Sequence, residues 1–200
     1  MNELRERLAY LWQSDIAAAY HAGRLVNQST LLAELYRLLQ DSGYPPCEAW
    51  LTPDLHFPPT TGVIFDQLDT FQVKQWLTHQ RPSLLLTQED EIVAALELDY
   101  TPDDFVDHRP GLRRLVSLAK LAGRERLHLR LDPQRGSLDA QHAFSFSPDL
   151  LCVYAIIAKK DALALRRKTL LNSYPREDFP ANFLHLVGAV RSQGAVFVVQ

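Results

Sequence analysis

The sequence predicts a mixed α/β fold, and three patterns in it indicate that class. Residues 82–87 and 91–100 are strand-like and are separated by the turn sequence Gln-Glu-Asp, which predicts a β-hairpin. An amphipathic helix is predicted over residues 111–122. Leucine then alternates with Arg or His over residues 126–131, the pattern of a strand with one solvated face. Strands and helices that alternate in this way are typical of one sheet with helices packed on it.

Further elements are predicted on both sides of this region. Leucine spacing predicts a helix over residues 3–14, which Ala17 to Ala19 can extend. Ser29 is the expected N-cap of a second helix that ends near Asp41. The other elements, in chain order, are a strand at 47–52, an irregular proline-rich stretch at 53–61, a short helix within 70–79, a buried strand at 150–158, a basic helix at 159–171 and a final strand at 196–199. From Ser29 to residue 131 the predicted order is helix, strand, strand, strand, helix, strand.

Composition predicts a single cytoplasmic domain over residues 1–200. A chain of 200 residues with 46% apolar and 22% charged residues has the make-up of an ordinary globular domain. Cys47 and Cys152 are too few for a disulfide scaffold, which favours a reducing compartment. The longest apolar run covers only residues 150–158, well short of the ~20 residues that cross a bilayer. The acidic N-terminal residues do not form a signal peptide, and no membrane association is expected.

Charge is distributed unevenly, although the net charge is only −3. Residues 53–108 carry a balance of −9 and residues 109–168 a balance of +8. Residues 89–108 hold eight carboxylates and no Lys or Arg. Two interpretations remain open: the two regions face each other and compensate, or a carboxylate-lined site lies beside a basic surface.

Familiar catalytic motifs are absent from the sequence. It contains no Gly-rich phosphate loop, no Gly-x-Ser-x-Gly and no His-Glu-x-x-His. The two cysteines are far apart, and no pair of histidines has the spacing of metal ligands. Zinc chemistry and catalysis by a nucleophilic Ser or Cys therefore have little support.

A pair of carboxylates near the end of the second hairpin strand is the main candidate site. Period-two alternation places Val93, Ala95, Glu97 and Asp99 on one face, and the other face carries Ile92, Ala94, Leu96, Leu98 and Tyr100. Two neighbouring carboxylates repel each other unless a cation lies between them. Glu34 also faces the core side of its helix, next to Leu31 and Leu38. The cation is either a hard metal ion or a basic side chain, namely Arg81, Arg113 or Arg114.

Residues 81–86 (Arg-Pro-Ser-Leu-Leu-Leu) and 95–102 (Ala-Leu-Glu-Leu-Asp-Tyr-Thr-Pro) resemble the core motif of the PD-(D/E)XK nuclease superfamily, which has the restriction-endonuclease-like fold. In that motif an Asp after Pro opens one strand, and the next strand ends in Glu-x-Lys. The preceding helix commonly contributes a Glu, and Glu34 stands in that place. The resemblance covers about residues 27–131. It implies that residues 1–26 form a helical lead-in and residues 132–200 a strand–helix extension.

Two positions depart from the motif that the resemblance implies. Ser83 stands where the family has its metal-binding Asp, and Asp99 stands where it has its Lys, whereas Glu97 and Glu34 match. A hydroxyl is a poor ligand for Mg²⁺, and Asp99 brings a negative charge towards a phosphodiester. The first hypothesis is therefore a degenerate, catalytically inactive relative that acts as a binding or assembly subunit.

Two other hypotheses stay open. In the second, a divergent nuclease binds Mg²⁺ or Mn²⁺ through Glu34, Glu97 and Asp99, or through a carboxylate in or shortly after the irregular stretch (Asp54, Asp66 or Asp69). In the third, the chain is an unrelated α/β interaction domain, and Glu34 does not lie near the strand of Glu97.

Partners are predicted only in outline. A protein partner or a second copy of the chain fits the first hypothesis. Nucleic acid could contact Arg113, Arg114 and Lys120, but Asp103, Asp104 and Asp107 oppose a polyanion there, so only weak binding is expected. A metal cofactor, Mg²⁺ or Mn²⁺, is expected only if the protein is active.

Overall fold

A computed structural model describes residues 2–41, 83–88, 91–103, 109–120, 122–123, 126–130, 141–160 and 180–200. The elements predicted at 47–52, 53–61 and 70–79 lie outside these residues, as do Cys47, Arg81, Asp54, Asp66 and Asp69. The helix predicted at 159–171 also lies outside them except at its start, where Lys159 still belongs to a strand. Among the described residues, no helix is long and apolar enough to cross a membrane.

The N-terminal helix is confirmed, and it includes the extension over residues 17–19. It consists of α1 (Asn2–Leu11), a five-residue π-helical segment (Trp12–Ile16) and α2 (Ala17–His21), which follow one another without a break. Its inward stripe is fully buried and includes Leu8, Trp12 and Ile16, each four residues from the next. A π turn is wider than an α turn, so residues four apart stay on one side of the helix here.

The second helix, α3 (Gln28–Asp41), is confirmed, but Ser29 is not its N-cap. The side-chain oxygen of Asn27 accepts a hydrogen bond from the Thr30 backbone N–H at 2.9 Å. The Thr30 hydroxyl in turn accepts one from the Asn27 N–H at 3.1 Å. This reciprocal pair satisfies two backbone donors at once, and it starts the helix two residues before the expected position.

One mixed sheet contains all the described strands. They are β1 (Leu84–Gln88), β2 (Glu91–Thr101), β3 (Arg126–Arg130), β4 (Gln141–Lys159), β5 (Phe183–Arg191) and β6 (Gly194–Val199). The order across the sheet is β1-β2-β4-β5-β6. The β1–β2 and β5–β6 pairs are antiparallel hairpins, whereas β2, β4 and β5 run parallel. The predicted hairpin, the strand at 150–158 and the final strand are therefore confirmed.

The centre of the sheet differs from the prediction. The strand predicted at 126–131 exists as β3, and it pairs antiparallel with the first residues of β4. The parallel neighbour of β2 is the later part of β4, through pairs from Ala94–Leu151 to Thr101–Ala158. Residues 141–199 thus supply the central strand and are not peripheral to the sheet. β5 was not predicted, because Gly188 interrupts its apolar pattern.

Helices cover both faces of the sheet. We call the face against α1–α3 the N-terminal face, where Leu96 and Leu98 pack with Leu31 and Leu35. We call the other face the α4 face, after α4 (Arg109–Ala119), the helix predicted at 111–122. There, Leu112 and Leu115 of α4 pack with apolar residues that include Ala95 of β2 and Ile156 of β4. The mixed α/β class is therefore confirmed.

The predicted alternation along β2 is right from Ala94 onward and wrong before it. The pairing register with β4 shifts between Ile92 and Ala94, as at a β-bulge. As a result Ile92 packs with Ala95 on the α4 face, and Val93 packs on the N-terminal face.

Candidate functional site

Five polar side chains meet on the α4 face near the end of β2, and we call them the Glu97 cluster. Its members are Ser83, Glu97, Asp99, Arg114 and Tyr154. β2 contributes Glu97 and Asp99 because residues two apart in a strand share a face. β4 contributes Tyr154, which is the register partner of Glu97 in the parallel ladder. α4, which packs on this face of the sheet, contributes Arg114.

The first turn of α4 lies close to the sheet at Gly111. A Cβ added at Gly111 would lie 3.4 Å from the Tyr154 ring and 3.8 Å from Cβ of Glu97, which are ordinary van der Waals distances. Arg114 follows Gly111 by three residues and so lies on the same side of the helix. The guanidinium of Arg114 is therefore within reach of β2.

Glu97 and Arg114 form a two-point ion pair. Arg114 Nε donates to Glu97 Oε1 at 2.6 Å, and Nη2 donates to Oε2 at 2.8 Å. The Glu97 side chain is 3% exposed and that of Arg114 is 25% exposed. Both carboxylate oxygens are therefore engaged by one guanidinium, which is the geometry that arginine makes best with carboxylates. The sequence left two kinds of partner open for this carboxylate, a metal ion or a basic side chain, and in the structure its partner is the basic side chain of Arg114.

Ser83 lies in the cluster just before β1. Its hydroxyl accepts a hydrogen bond from the Leu98 backbone N–H at 3.0 Å and donates a longer one to Glu97 Oε2 at 3.4 Å. The hydroxyl thus joins the hairpin strands and adds one donor to a carboxylate that already has two.

Burial raises the pKa of Glu97 to about 7, because the charged form loses most of its hydration. The hydrogen bonds and charge of Arg114 oppose this shift, and the nearby charge of Asp99 adds to it. Conversely, the bond to Glu97 raises the pKa of Arg114, so the guanidinium stays charged. Arg114 is therefore the permanent charge in the pair, and Glu97 is the group that titrates.

Asp99 has its own partner in Tyr154. The Tyr154 hydroxyl donates a hydrogen bond to Asp99 Oδ2, although the Tyr154 ring is buried in the α4-face core. Tyr154 also stacks on His185 of β5, with ring centroids 5.7 Å apart. Glu97, Tyr154 and His185 are register partners, so they form a row across three parallel strands. The sequence pattern does not single out Tyr154 or His185, since only the strand pairing shows that they adjoin Glu97.

Glu34 does not join the cluster. Its helix, α3, contacts β2, and Gln28 Nε2 donates to the Leu98 carbonyl at 2.6 Å, but it does so on the N-terminal face. The Glu34 carboxylate pairs instead with Arg24 at 2.9 Å and Arg37 at 3.0 Å. These bonds, led by that from Arg37, lower the pKa of Glu34. The sheet therefore separates Glu34 from the carboxylates of Glu97 and Asp99.

The donor set does not fit a divalent ion. Among the residues that the structure describes, no group of three or more His, Cys, Asp and Glu side chains could hold a metal. Mg²⁺ and Mn²⁺ prefer several oxygen ligands, and here both oxygens of Glu97 are bound by Arg114. A metal ion at this place would have to displace the guanidinium of Arg114.

The three bases predicted to contact nucleic acid differ in position. Arg113 is exposed on α4 and Lys120 is exposed directly after it, whereas Arg114 turns inward to Glu97. Because the inward arginine is engaged by a carboxylate, it adds little to an outer basic surface.

Comparison with known proteins gives no guide to the chain. No protein-family model, curated protein or solved structure matches it. Its function is therefore inferred from its own residues.

Proposed function

We propose that the chain is a degenerate relative of the PD-(D/E)XK nucleases that no longer cuts and acts as a binding or assembly subunit. The observation that carries this proposal is the two-point bond of Arg114 to Glu97. In this interpretation Arg114 replaces the metal ion of an active relative. A guanidinium neutralises the buried carboxylate, but it has no open coordination position and cannot generate hydroxide from water.

Part of the element order agrees with the proposal. The described elements from α3 to β4 are a helix, two strands, a helix and two strands. The core order of the superfamily is a helix, three strands, a helix and a strand, and the first of the three predicted strands, at 47–52, lies outside the described residues. Ser83 and Glu97 also meet across the hairpin, as the two motif positions of the resemblance require.

The direct test is cleavage of plasmid, linear and single-stranded DNA and of RNA in Mg²⁺ or Mn²⁺. We expect no cleavage by the folded wild-type protein, because the carboxylate oxygens are already engaged. Glu97→Ala is the control for a contaminating nuclease. Cleavage by the wild-type protein that disappears in Glu97→Ala would refute the proposal and favour the divergent nuclease.

The separation of Glu34 from the cluster favours a second candidate, an unrelated α/β interaction domain. Both candidates predict no cleavage, so a rebuilt site is needed to distinguish them. The triple variant Ser83→Asp, Asp99→Lys and Arg114→Met restores the motif residues and removes the competing cation. If the scaffold is that of a nuclease, this variant binds Mn²⁺ in calorimetry, and the same variant with Glu97→Gln does not. Failure of the folded triple variant to bind Mn²⁺ would favour the unrelated domain.

A further inference from the structure

β6 forms one edge of the sheet. It is hydrogen-bonded to β5 on one side, and among the described strands none pairs with its other side. The strand and the residue after it, Gly-Ala-Val-Phe-Val-Val-Gln, contain no charge and no proline. The β5–β6 register runs without a shift from the Arg191–Gly194 pair to the Leu186–Val199 pair. Charges, prolines and bulges are the devices that normally keep edge strands from pairing, and β6 has none of them.

The outward backbone groups of β6 can be identified from the ladder. His185 and Gln200 exchange two hydrogen bonds, at 3.2 and 2.9 Å. In an antiparallel ladder such pairs alternate with pairs that do not exchange bonds, so Val198, Val196 and Gly194 also direct their N–H and C=O groups towards β5. Ala195, Phe197 and Val199 therefore direct theirs away from β5, to the open edge.

The geometry points to β6 as an interface through which two copies of this chain pair, strand to antiparallel strand. A two-fold axis at Phe197 places Phe197 opposite Phe197 of the second copy, and Ala195 opposite Val199. Each outward N–H then faces an outward C=O, so the edge is complementary to itself. Because the strand is uncharged, the two copies approach without like-charge repulsion.

The outer side chains of β6 fit the same arrangement. Val196 is 41% exposed, one of the few large apolar residues in the described chain that face water. In the two-fold register Val196 lies opposite Val198 of the second copy, in a pair that does not exchange backbone bonds and whose side chains are close. The inner side chain of Phe197 stays packed against Trp12 and Tyr20. Pairing thus covers Val196 without disturbing the core of either copy.

This interface does not depend on the Glu97 cluster, so either proposal can fail alone. The test is sedimentation equilibrium of the wild-type protein, Val196→Lys and Val26→Lys. Val26 is the matched control, because it is also an exposed valine (66%) but lies before α3, outside the edge strand. We expect the wild type and Val26→Lys to form a species of twice the 22.8 kDa chain mass. Val196→Lys should weaken the association by about tenfold or more, since a charge replaces an apolar cross-strand contact in both halves.

Hydrogen exchange tests the register itself. The amides of Ala195, Phe197 and Val199 should become protected as the protein concentration rises, whereas those of Val196 and Val198 are protected at every concentration by β5. A monomeric wild-type protein would overturn the proposal. So would a dimer that Val196→Lys leaves intact, or one in which the three outward amides exchange freely.

Discussion

Arg114→Met removes both hydrogen bonds to Glu97 while keeping most of the side chain's apolar length. The bonds, at 2.6 and 2.8 Å, end on a carboxylate that is 3% exposed. Removing one partner of a buried ion pair costs about 3–5 kcal/mol, because the other charge is left without compensation. Arg114 is itself 25% exposed, and water entering its place offsets part of this loss. We therefore expect the lower end, about 3 kcal/mol near pH 8.

The loss should depend on pH. Burial already raises the pKa of Glu97 to about 7 with Arg114 present, and removing the guanidinium raises it further. Near pH 6 the orphaned carboxyl is therefore protonated and neutral, and the destabilisation is smaller than near pH 8. For a chain of this length, about 3 kcal/mol corresponds to a fall in Tm of about 6–12 °C.

Urea unfolding followed by tryptophan fluorescence measures the difference, because Trp12 is fully buried. Arg113→Met is the matched control: the same change in an exposed neighbour on α4 should stay within about 0.5 kcal/mol of the wild type. The double variant Arg114→Met and Glu97→Gln should recover part of the loss near pH 8, since it leaves no buried charge. The ion pair is not structural if Arg114→Met resembles Arg113→Met, or if the double variant is no more stable than Arg114→Met.

Three further predictions concern pH, a helix cap and a thiol. Folding raises the pKa of Glu97 from 4.5 to about 7, so folded molecules bind more protons than unfolded ones between these pH values. The free energy of unfolding of the wild type should therefore fall by about 3 kcal/mol, relative to that of Glu97→Gln, as the pH rises through this range. Parallel pH curves for the two proteins in urea unfolding would contradict this. Asn27→Ala should lower the free energy of unfolding by about 1 kcal/mol, because it removes the cap bond to Thr30, and Ser29→Ala should leave it nearly unchanged. Equal falls in Tm for the two variants in thermal unfolding would instead indicate Ser29 as the cap. Burial raises the pKa of the Cys152 thiol to about 12, so iodoacetamide should label its peptide in mass spectrometry only after unfolding. Rapid labelling of the native protein would show that the thiol is accessible.

Local patterns in the sequence predicted most of the described elements. The β1–β2 hairpin, α4 and the strand at 150–158 each carry their own periodicity, and each is present. The sequence did not indicate the parallel partner of β2, because strand pairing depends on long-range contacts that the periodicity within one strand does not report.

The candidate site was predictable in part for the same reason. Glu97 and Asp99 stood out because carboxylates rarely end a buried strand, and a basic residue near α4 was a foreseeable partner. Tyr154 did not stand out, because it belongs to the apolar run Leu-Cys-Val-Tyr-Ala. Its hydrogen-bond partner, Asp99, is brought close to it only by the pairing of β2 with β4. Glu34 was misplaced because Arg37, one helical turn away, was not weighed as its partner.

The long central strand β4 has a consequence for how the chain folds during synthesis. β4 pairs with β2, β3 and β5, yet it follows β2 by some distance in the sequence. When β1 and β2 first leave the ribosome, α1–α3 have already been translated and can cover Leu96 and Leu98 on the N-terminal face. The edge of β2 that pairs with β4 still lacks its native partner at that time. The nascent chain therefore passes through an interval in which this edge of β2 is open to pairing with another chain.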